Sequence, residues 1–325
     1  MLAKFVLKRI IILIPVLIGI SIILFTITKI MPGDQVRMMI PLNTRPDQWD
    51  AVYNAMFERL GMDKPVYQQY FRWLRDIFQG NLGYSSMNNG RPVLDIIVEP
   101  MKNTIILNFF QNIVYLMIAL PVGIRMAVKR GSFFDNSWQV FSLSTFSIPS
   151  FFIGLILIFI FGITLGWLPL GGMPNAALLE GSEYYIAWVR HLILPVTSLT
   201  LISLAGAIRY IRNAMIDALS QDYIRTARSK GMSEKVVIYS HAFRNALIPI
   251  STIIVGTVFA LFAGSVATES IFNYNGIGRL LVSSVTGRDR MVVVSLNMLF
   301  SVVNVTAVLV ADIVYGLIDP RIKLK

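Results

Sequence analysis

Hydrophobic positions fall along this chain in long blocks rather than in the short periodic stripes of a soluble core. Six blocks predict membrane-crossing helices: about Ile10–Ile30, Thr104–Val128, Trp138–Leu165, Leu192–Ile208 with slight extensions, Ala246–Thr268 and Met291–Ile318. A hydrocarbon core of ~30 Å takes ~20 apolar residues of helix. The first block sets the scale, with fourteen Ile, Leu, Val or Phe residues between Ile10 and Thr28. At about −0.3 to −0.6 kcal/mol for each centred residue, insertion is worth roughly −4 to −8 kcal/mol as an upper bound. Lys29 stands at the end of that block, where it snorkels to the interface. The block outruns a signal-peptide core and no small-x-small site follows it, so an uncleaved helix is expected.

The largest piece between blocks is the stretch 31–103. It carries turn signals at Pro32-Gly33-Asp34 and Asn88-Asn89-Gly90. Tyr67, Tyr70, Phe71, Leu74 and Phe78 recur at helical spacing and predict a short amphipathic helix, packed on the membrane helices or facing a partner. No internal repeat or linker divides the chain, so 1–325 reads as one domain, with 209–245 as the main polar connection after the fourth block. The fold class expected is all-α integral membrane.

That polar connection is the most informative segment. Asp222–Lys230 has good helix formers and ends at Gly231, a suitable residue just past a helix C-terminus. Ser233 can cap a second helix, with Glu234 in its first turn where the macrodipole favours negative charge. The pattern is helix, sharp turn, helix, leading into the fifth block. A nine-residue helix is marginal in water alone, so it needs lipid headgroups, its own chain or another protein to rest on.

Composition agrees with the blocks. Hydrophobic residues make up 55% and charged residues 14%, against roughly 25% charged in soluble domains. Mean hydropathy is +0.65. Charge then orients the chain. The N-terminal segment, the second–third connection, the fourth–fifth connection and the C-terminal segment carry +3, +2, +4 and +2, the whole of the net +11. The other three connections total zero, with 31–103 holding eight bases and eight acids. This is the positive-inside pattern. It predicts both termini in the cytoplasm and a ~70-residue extracytoplasmic insertion between the first two helices. It also removes the main support for a nucleic-acid partner.

The chain has no Cys and two His, His191 and His241, which excludes disulfides, thiolate metal sites and a multi-histidine site. No Lys is followed by Ser or Thr, so the phosphate-cradling G-x-x-x-x-G-K-[ST] loop cannot occur. No H-E-x-x-H or G-x-S-x-G pattern appears either. No catalytic residue, metal or cofactor is expected in this chain. Polar residues inside spans are costly and often functional. Asn108, Gln111 and Asn112 share or adjoin one helix face and are candidates for a translocation path, with interhelical hydrogen bonding as the plainer role. Ser142, Thr145, Ser198 and Ser203 are weaker candidates, since such hydroxyls bond their own helix carbonyls. Asp312 reads as structural, and Pro195 and Pro249 as span-start prolines. Ala205-Gly206-Ala207 permits tight helix contact. Glu269, Arg279 and Arg288 read as a solvated or partner-facing surface.

The segment Arg225-Thr226-Ala227-Arg228-Ser229-Lys230-Gly231 resembles the Glu-Ala-Ala-x-x-x-Gly loop of ABC-transporter permease subunits. Arg225 stands where that pattern has an acid, and Pro249 follows Gly231 by eighteen residues; both departures are similar to the peptide branch. Further similarities run in order along the chain: Met31-Pro32-Gly33-Asp34, Leu60-Gly61-Met62-Asp63-Lys64-Pro65, Tyr70 with Trp73-Leu74, Gly80-Asn81-Leu82-Gly83, Asn275-Gly276-Ile277-Gly278-Arg279-Leu280-Leu281, Arg288-Asp289 and Asp319-Pro320-Arg321-Ile322. The chain is similar to the first permease subunit of dipeptide, oligopeptide and nickel importers.

The resemblance implies a subunit of an ATP-driven importer in a bacterial-type inner membrane. Its partners would be a second related permease, two ABC ATPases that hold the ATP and Mg, an extracytoplasmic solute-binding protein and lipid. Arg225, Thr226, Ala227, Arg228, Gly231, Met232 and Ser233 would meet an ATPase. The cargo would be peptides, nickel chelates or oligosaccharides. The main rival, an ion-coupled secondary transporter, usually shows midspan carboxylates and inverted repeats, whereas Asp312 is the one clearly intramembrane acid here and lies near a helix end.

Overall fold

The computed structural model describes residues 2–31, 34–40, 43–88, 90–175 and 177–318. Pro32-Gly33, Asn89 and the closing Asp319-Pro320-Arg321-Ile322 lie outside them. In chain order the helices are α1 (Leu2–Ile30), α2 (Gln35–Met39), α3 (Trp49–Arg59), α4 (Val66–Phe78), α5 (Val93–Val128), α6 (Phe133–Ser147), α7 (Ser150–Leu157), α8 (Gly181–Leu219), α9 (Asp222–Ser229), α10 (Glu234–Val236), α11 (Phe243–Ala260), α12 (Val266–Ile271), α13 (Ile277–Thr286) and α14 (Arg290–Ile318). Among the described residues there is no β-strand, only an isolated bridge between Tyr84 and Pro92.

Five helical stretches among them are long and apolar enough to cross a membrane, and the bent pair α6–α7 makes up to six. The all-helical membrane architecture expected from the hydropathy blocks is therefore present. α5 and α8, with 36 and 39 residues, run about 54 and 58 Å at 1.5 Å per residue. Both outreach the ~30 Å hydrocarbon layer, so their ends stand clear of it.

Two blocks differ from expectation. Trp138–Leu165 is not one straight span, because α6 and α7 meet at 103°. The cause is Pro149, which caps α7 and holds the preceding Ile148 in an extended conformation at ψ 129°. A seven-residue π-helical segment, 158–164, continues α7. The fifth block does not run to Thr268. α11 ends at Ala260, the chain turns, and α12 begins at Val266. Pro195 and Pro249 sit inside α8 and α11 rather than in their first turns.

The bundle has two ends. Arg9 of α1 pairs with Asp312 of α14 at 3.1 Å at one end. Asp135 and Arg212 meet at that end too, as do the C-terminal part of α5 and α9. The aliphatic cluster there joins Ile124 and Met126 to Ile208, Ile211, Met215, Ile224, Val237 and Ile250. At the other end lie α3, α4 and the α12–α13 hairpin. Phe272 and Tyr274 of the hairpin are buried against α7, α8 and α5. The amphipathic helix expected over 67–78 forms as α4 and packs on α1, with Tyr70 and Trp73 against Phe25 at 5.4 and 5.6 Å between ring centres. Tyr70 also shares a 2.8 Å hydrogen bond with Ser21.

Candidate functional site

α9 is short, so its seating matters more than its propensity. Ile224 and Ala227, three residues apart, turn inward and are 0% and 5% exposed within the aliphatic cluster. The helix ends in a Schellman arrangement: Gly231 N–H donates to Arg228 O at 2.9 Å and Met232 N–H to Ala227 O at 3.4 Å. Gly231 takes φ +76°, the left-handed conformation that suits glycine. Ser233 then occupies the cap position of α10 with its backbone, but its hydroxyl makes no capping hydrogen bond. A π-helical segment, Val237–Ala242, carries α10 straight into α11. The helix, turn and helix expected over 222–249 are all present.

The turn is also clamped by charge. Arg228 Nε and Nη2 donate to the two carboxylate oxygens of Glu234 at 2.7 and 3.2 Å. Arg225 lies 3.6 Å from Asp222, and Thr226 Oγ1 donates to Asp222 O at 3.1 Å. Arg225, Thr226, Arg228, Gly231, Met232 and Ser233 form one exposed surface. Ala227 does not share it. Its small side chain permits close approach of α9 to its own chain, because the face carrying Ile224 must turn inward.

Asn108, Gln111 and Asn112 project from α5 into a polar layer. Asn108 Nδ2 lies at 2.9, 3.1 and 2.9 Å from the carbonyl oxygens of Ala260, Leu261 and Ala263, and so caps the C-terminus of α11. This cap explains why α11 stops there. Gln111 donates to Ser203 Oγ on α8 at 3.4 Å, and Asn112 to Thr257 O on α11 at 2.8 Å. The three amides thus tie α5 to its two neighbours. Asn112, Thr145 and Ser203 are half-buried, whereas Ser142 and Ser198 are buried with hydroxyls that find no hydrogen-bond partner among the described residues. The expectation that such hydroxyls bond their own helix fails at these two positions.

Among the described residues three carboxylates are buried, Asp135, Glu269 and Asp289, and none is marked as buried by the sequence; Asp289 accepts from Ser85 Oγ and from Met87 N–H. Asp135 is gripped by both arms of Arg212, at 2.6 and 2.8 Å, and accepts from Gly131 N–H at 2.9 Å. Glu269, expected on the surface, is 0% exposed. It accepts from Thr104 Oγ1 at 2.9 Å and from the N–H groups of Gly278, Arg279 and Ser265 at 2.6, 3.1 and 3.3 Å. The carboxylate thereby closes the N-terminus of α13. Burial pushes its pKa up from the usual carboxylate range, and the donors at Arg279, Thr104, Gly278 and Ser265 pull it back. A Cβ on Gly276 would lie 2.5 Å from this carboxyl, so the Gly276-Ile277-Gly278 run is the sequence signal for the knot.

The layered bundle with a clamped helical turn at one end defines a multi-pass membrane subunit. The chain belongs to the family of binding-protein-dependent transport system inner membrane components, whose model matches residues 119–324. The N-terminal model of the same group matches residues 1–108. It is thus a multi-pass protein of the bacterial inner membrane. It is 38% identical to the oligopeptide transport system permease protein AppB of Bacillus subtilis over 322 residues, with 99% of each chain covered. It is 36% identical to the di/tripeptide transport system permease protein DppB of Pseudomonas aeruginosa, with 98% of each covered. Identity is also 36% to the glutathione transport system permease protein GsiC of Escherichia coli, with 99% of each covered. A solved structure of the inward-facing MetNI methionine ABC transporter shares the fold, with TM-score 0.54 and 16% identity over 70% of this chain and 97% of that one.

Proposed function

We propose that this chain is a transmembrane subunit of an ATP-driven importer for peptides or similar small solutes, and that the α9–Gly231–α10 turn is its grip on an ATPase. The observation that carries this reading is the continuity between turn and bundle. Ile224 and Ala227 are buried in the same cluster as α5, α8 and the start of α11. A push on the exposed face of α9 is therefore delivered to three membrane helices at once. The π-helical segment 237–242 lies where α10 becomes α11, a place for the bundle to change its helix register.

In this reading the positively charged end faces the cytoplasm, as the positive-inside rule requires. Stretch 31–103 and the α12–α13 hairpin then face the side from which a solute-binding protein delivers cargo. A second, related permease completes the path, two ATPase subunits hold the ATP and Mg, and the cargo class follows the peptide and glutathione permeases it resembles. Asn112, Thr145 and Ser203 are assigned to the path wall. Asn108, Gln111, Ser142 and Ser198 belong to the helix contacts behind it. Uptake of labelled peptide into reconstituted vesicles tests the reading. It requires ATP, the ATPases and this subunit, and uptake that survives without the ATPases rejects it.

A further inference from the structure

A cavity of about 290 Å³ opens between the ends of α1 and α14 and the α3–α4 pair, at the end of the bundle away from α9. Lys29, Arg59 and Arg72 line it, and Asp76 is the one acid that does. None of the three cations has a carboxylate within 4 Å among the described residues. Their present contacts are neutral. Lys29 Nζ donates to Gln69 Oε1 and lies 5.2 Å over the Phe25 ring, and Arg72 donates to Arg59 O at 2.9 Å. Neighbouring Asp63 pairs with Lys64 at 2.8 Å and feels Arg72 only at longer range. Three cations around a concave site with a single carboxylate leave an excess of positive charge there, which an anion would balance.

Depth selects the anion. Lys29 lies in the last turn of α1, next to Ile27 and Ile30, which are 41% and 75% exposed. α4 lies alongside, with Tyr67, Phe71 and Phe78 exposed at 61%, 64% and 83%. Aromatic side chains of this kind concentrate where a membrane meets water, and an amphipathic helix rests there with its apolar face in the leaflet. The cavity thus stands at headgroup level beside an acyl-facing helix. We propose that it holds the phosphate of an anionic phospholipid headgroup, bound by Lys29, Arg59 and Arg72, with the acyl chains lying along the exposed isoleucines of α1. Arginine and lysine together suit this ligand, since guanidinium groups fork onto phosphate oxygens and an ammonium adds a compact charge. The assignment stands independently of cargo and coupling.

The test uses the full chain, purified with its co-expressed subunits and stripped of lipid in mild detergent. Phosphatidylglycerol, phosphatidylcholine or inorganic phosphate is then added at equal concentration. Thermal unfolding and native mass spectrometry are read. Phosphatidylglycerol should raise the melting temperature about twofold more than phosphatidylcholine does, as expected for a ligand held only by the folded state. It should also remain bound in the spectrum, and Arg59→Gln/Arg72→Gln should abolish both effects. The single Lys29→Gln variant keeps the test open if the double variant fails to assemble, because it should retain less phosphatidylglycerol. Equal shifts with the two lipids, or retention unchanged in the variants, overturn the proposal. An equal shift with inorganic phosphate assigns the cavity to free anions and overturns the lipid. Loss of a co-purified subunit in the variants with lipid retention intact assigns it to a protein partner and overturns it too.

Discussion

Arg228 reaches over the turn at Gly231 and forks onto Glu234, at 2.7 and 3.2 Å, so the last full turn of α9 is tied to the first residue of α10. The two side chains are 48% and 62% exposed, and exposed pairs contribute about 0.2–1 kcal/mol. The pair therefore sets the angle of the turn more than the stability of the chain. Replacing both residues with Ala should leave the melting temperature of the purified complex nearly unchanged while lowering ATP-dependent uptake. A large drop in melting temperature would contradict this.

Among the described residues, its chain neighbours aside, Gly231 has no atom within 4 Å of where a Cβ would stand, so its constraint is conformational and not steric. Gly231→Ala should cost about 1–2 kcal/mol in the turn, the cost of the left-handed conformation for an L-residue. Gly231→Asn should cost less, because Asn enters that region more readily. Uptake and ATPase co-purification should both fall in the order Gly, Asn, Ala.

Ile224 anchors α9 and is fully buried. Ile224→Ala should destabilise the bundle by about 2–5 kcal/mol. Exposed Thr226→Ala removes only a bond to its own helix and should lie within about 0.5 kcal/mol of the parent. Thermal unfolding of the two variants side by side checks the seating of this helix.

Asp135 is 1% exposed and Arg212 14%. Asp135→Ala leaves Arg212 without its carboxylate and should cost about 3–5 kcal/mol. Arg212→Lys keeps the charge but loses the fork, and should fall between that variant and the parent. Equal stability of all three proteins would show the pair to be unimportant to the α6–α8 contact.

Asn108→Leu removes the amide that bonds the carbonyls of Ala260, Leu261 and Ala263 at the end of α11; Ala260 O keeps its bond from Ala263 N–H, while Leu261 O and Ala263 O lose the amide's, at about 0.5–1.5 kcal/mol net for each bond. Asn112→Leu loses one such bond, to Thr257. Melting temperature should therefore fall further for Asn108→Leu.

What the sequence reveals divides along physical lines. The membrane blocks, α4 and the turn at Gly231 are encoded locally, by runs, by apolar spacing and by a glycine at the end of a helix. The end of α11 is not. The amide that caps it stands 152 residues away on α5, and hydropathy alone continues the helix to Thr268. The bend at Pro149 was open to reading, since the residue before a proline leaves the helical region, yet a continuous apolar run masked it. Glu269 looked like a surface charge because its partners are backbone N–H groups, which leave no mark in composition. Motif position alone puts Ala227 in the contact surface, and only the packing of Ile224 decides which face of so short a helix turns inward.

The absence of native cysteine makes the central claim directly testable. A cysteine is placed singly at Met232, Ser233 or, as a buried control, Ile224, and the assembled complex is treated with a short bifunctional crosslinker. The account predicts that Met232→Cys and Ser233→Cys join this chain to a nucleotide-hydrolysing subunit, with a yield that changes when ATP is added, while Ile224→Cys does not. Reaction of the exposed positions with lipid-borne probes alone, and with no ATPase in any nucleotide state, would contradict it.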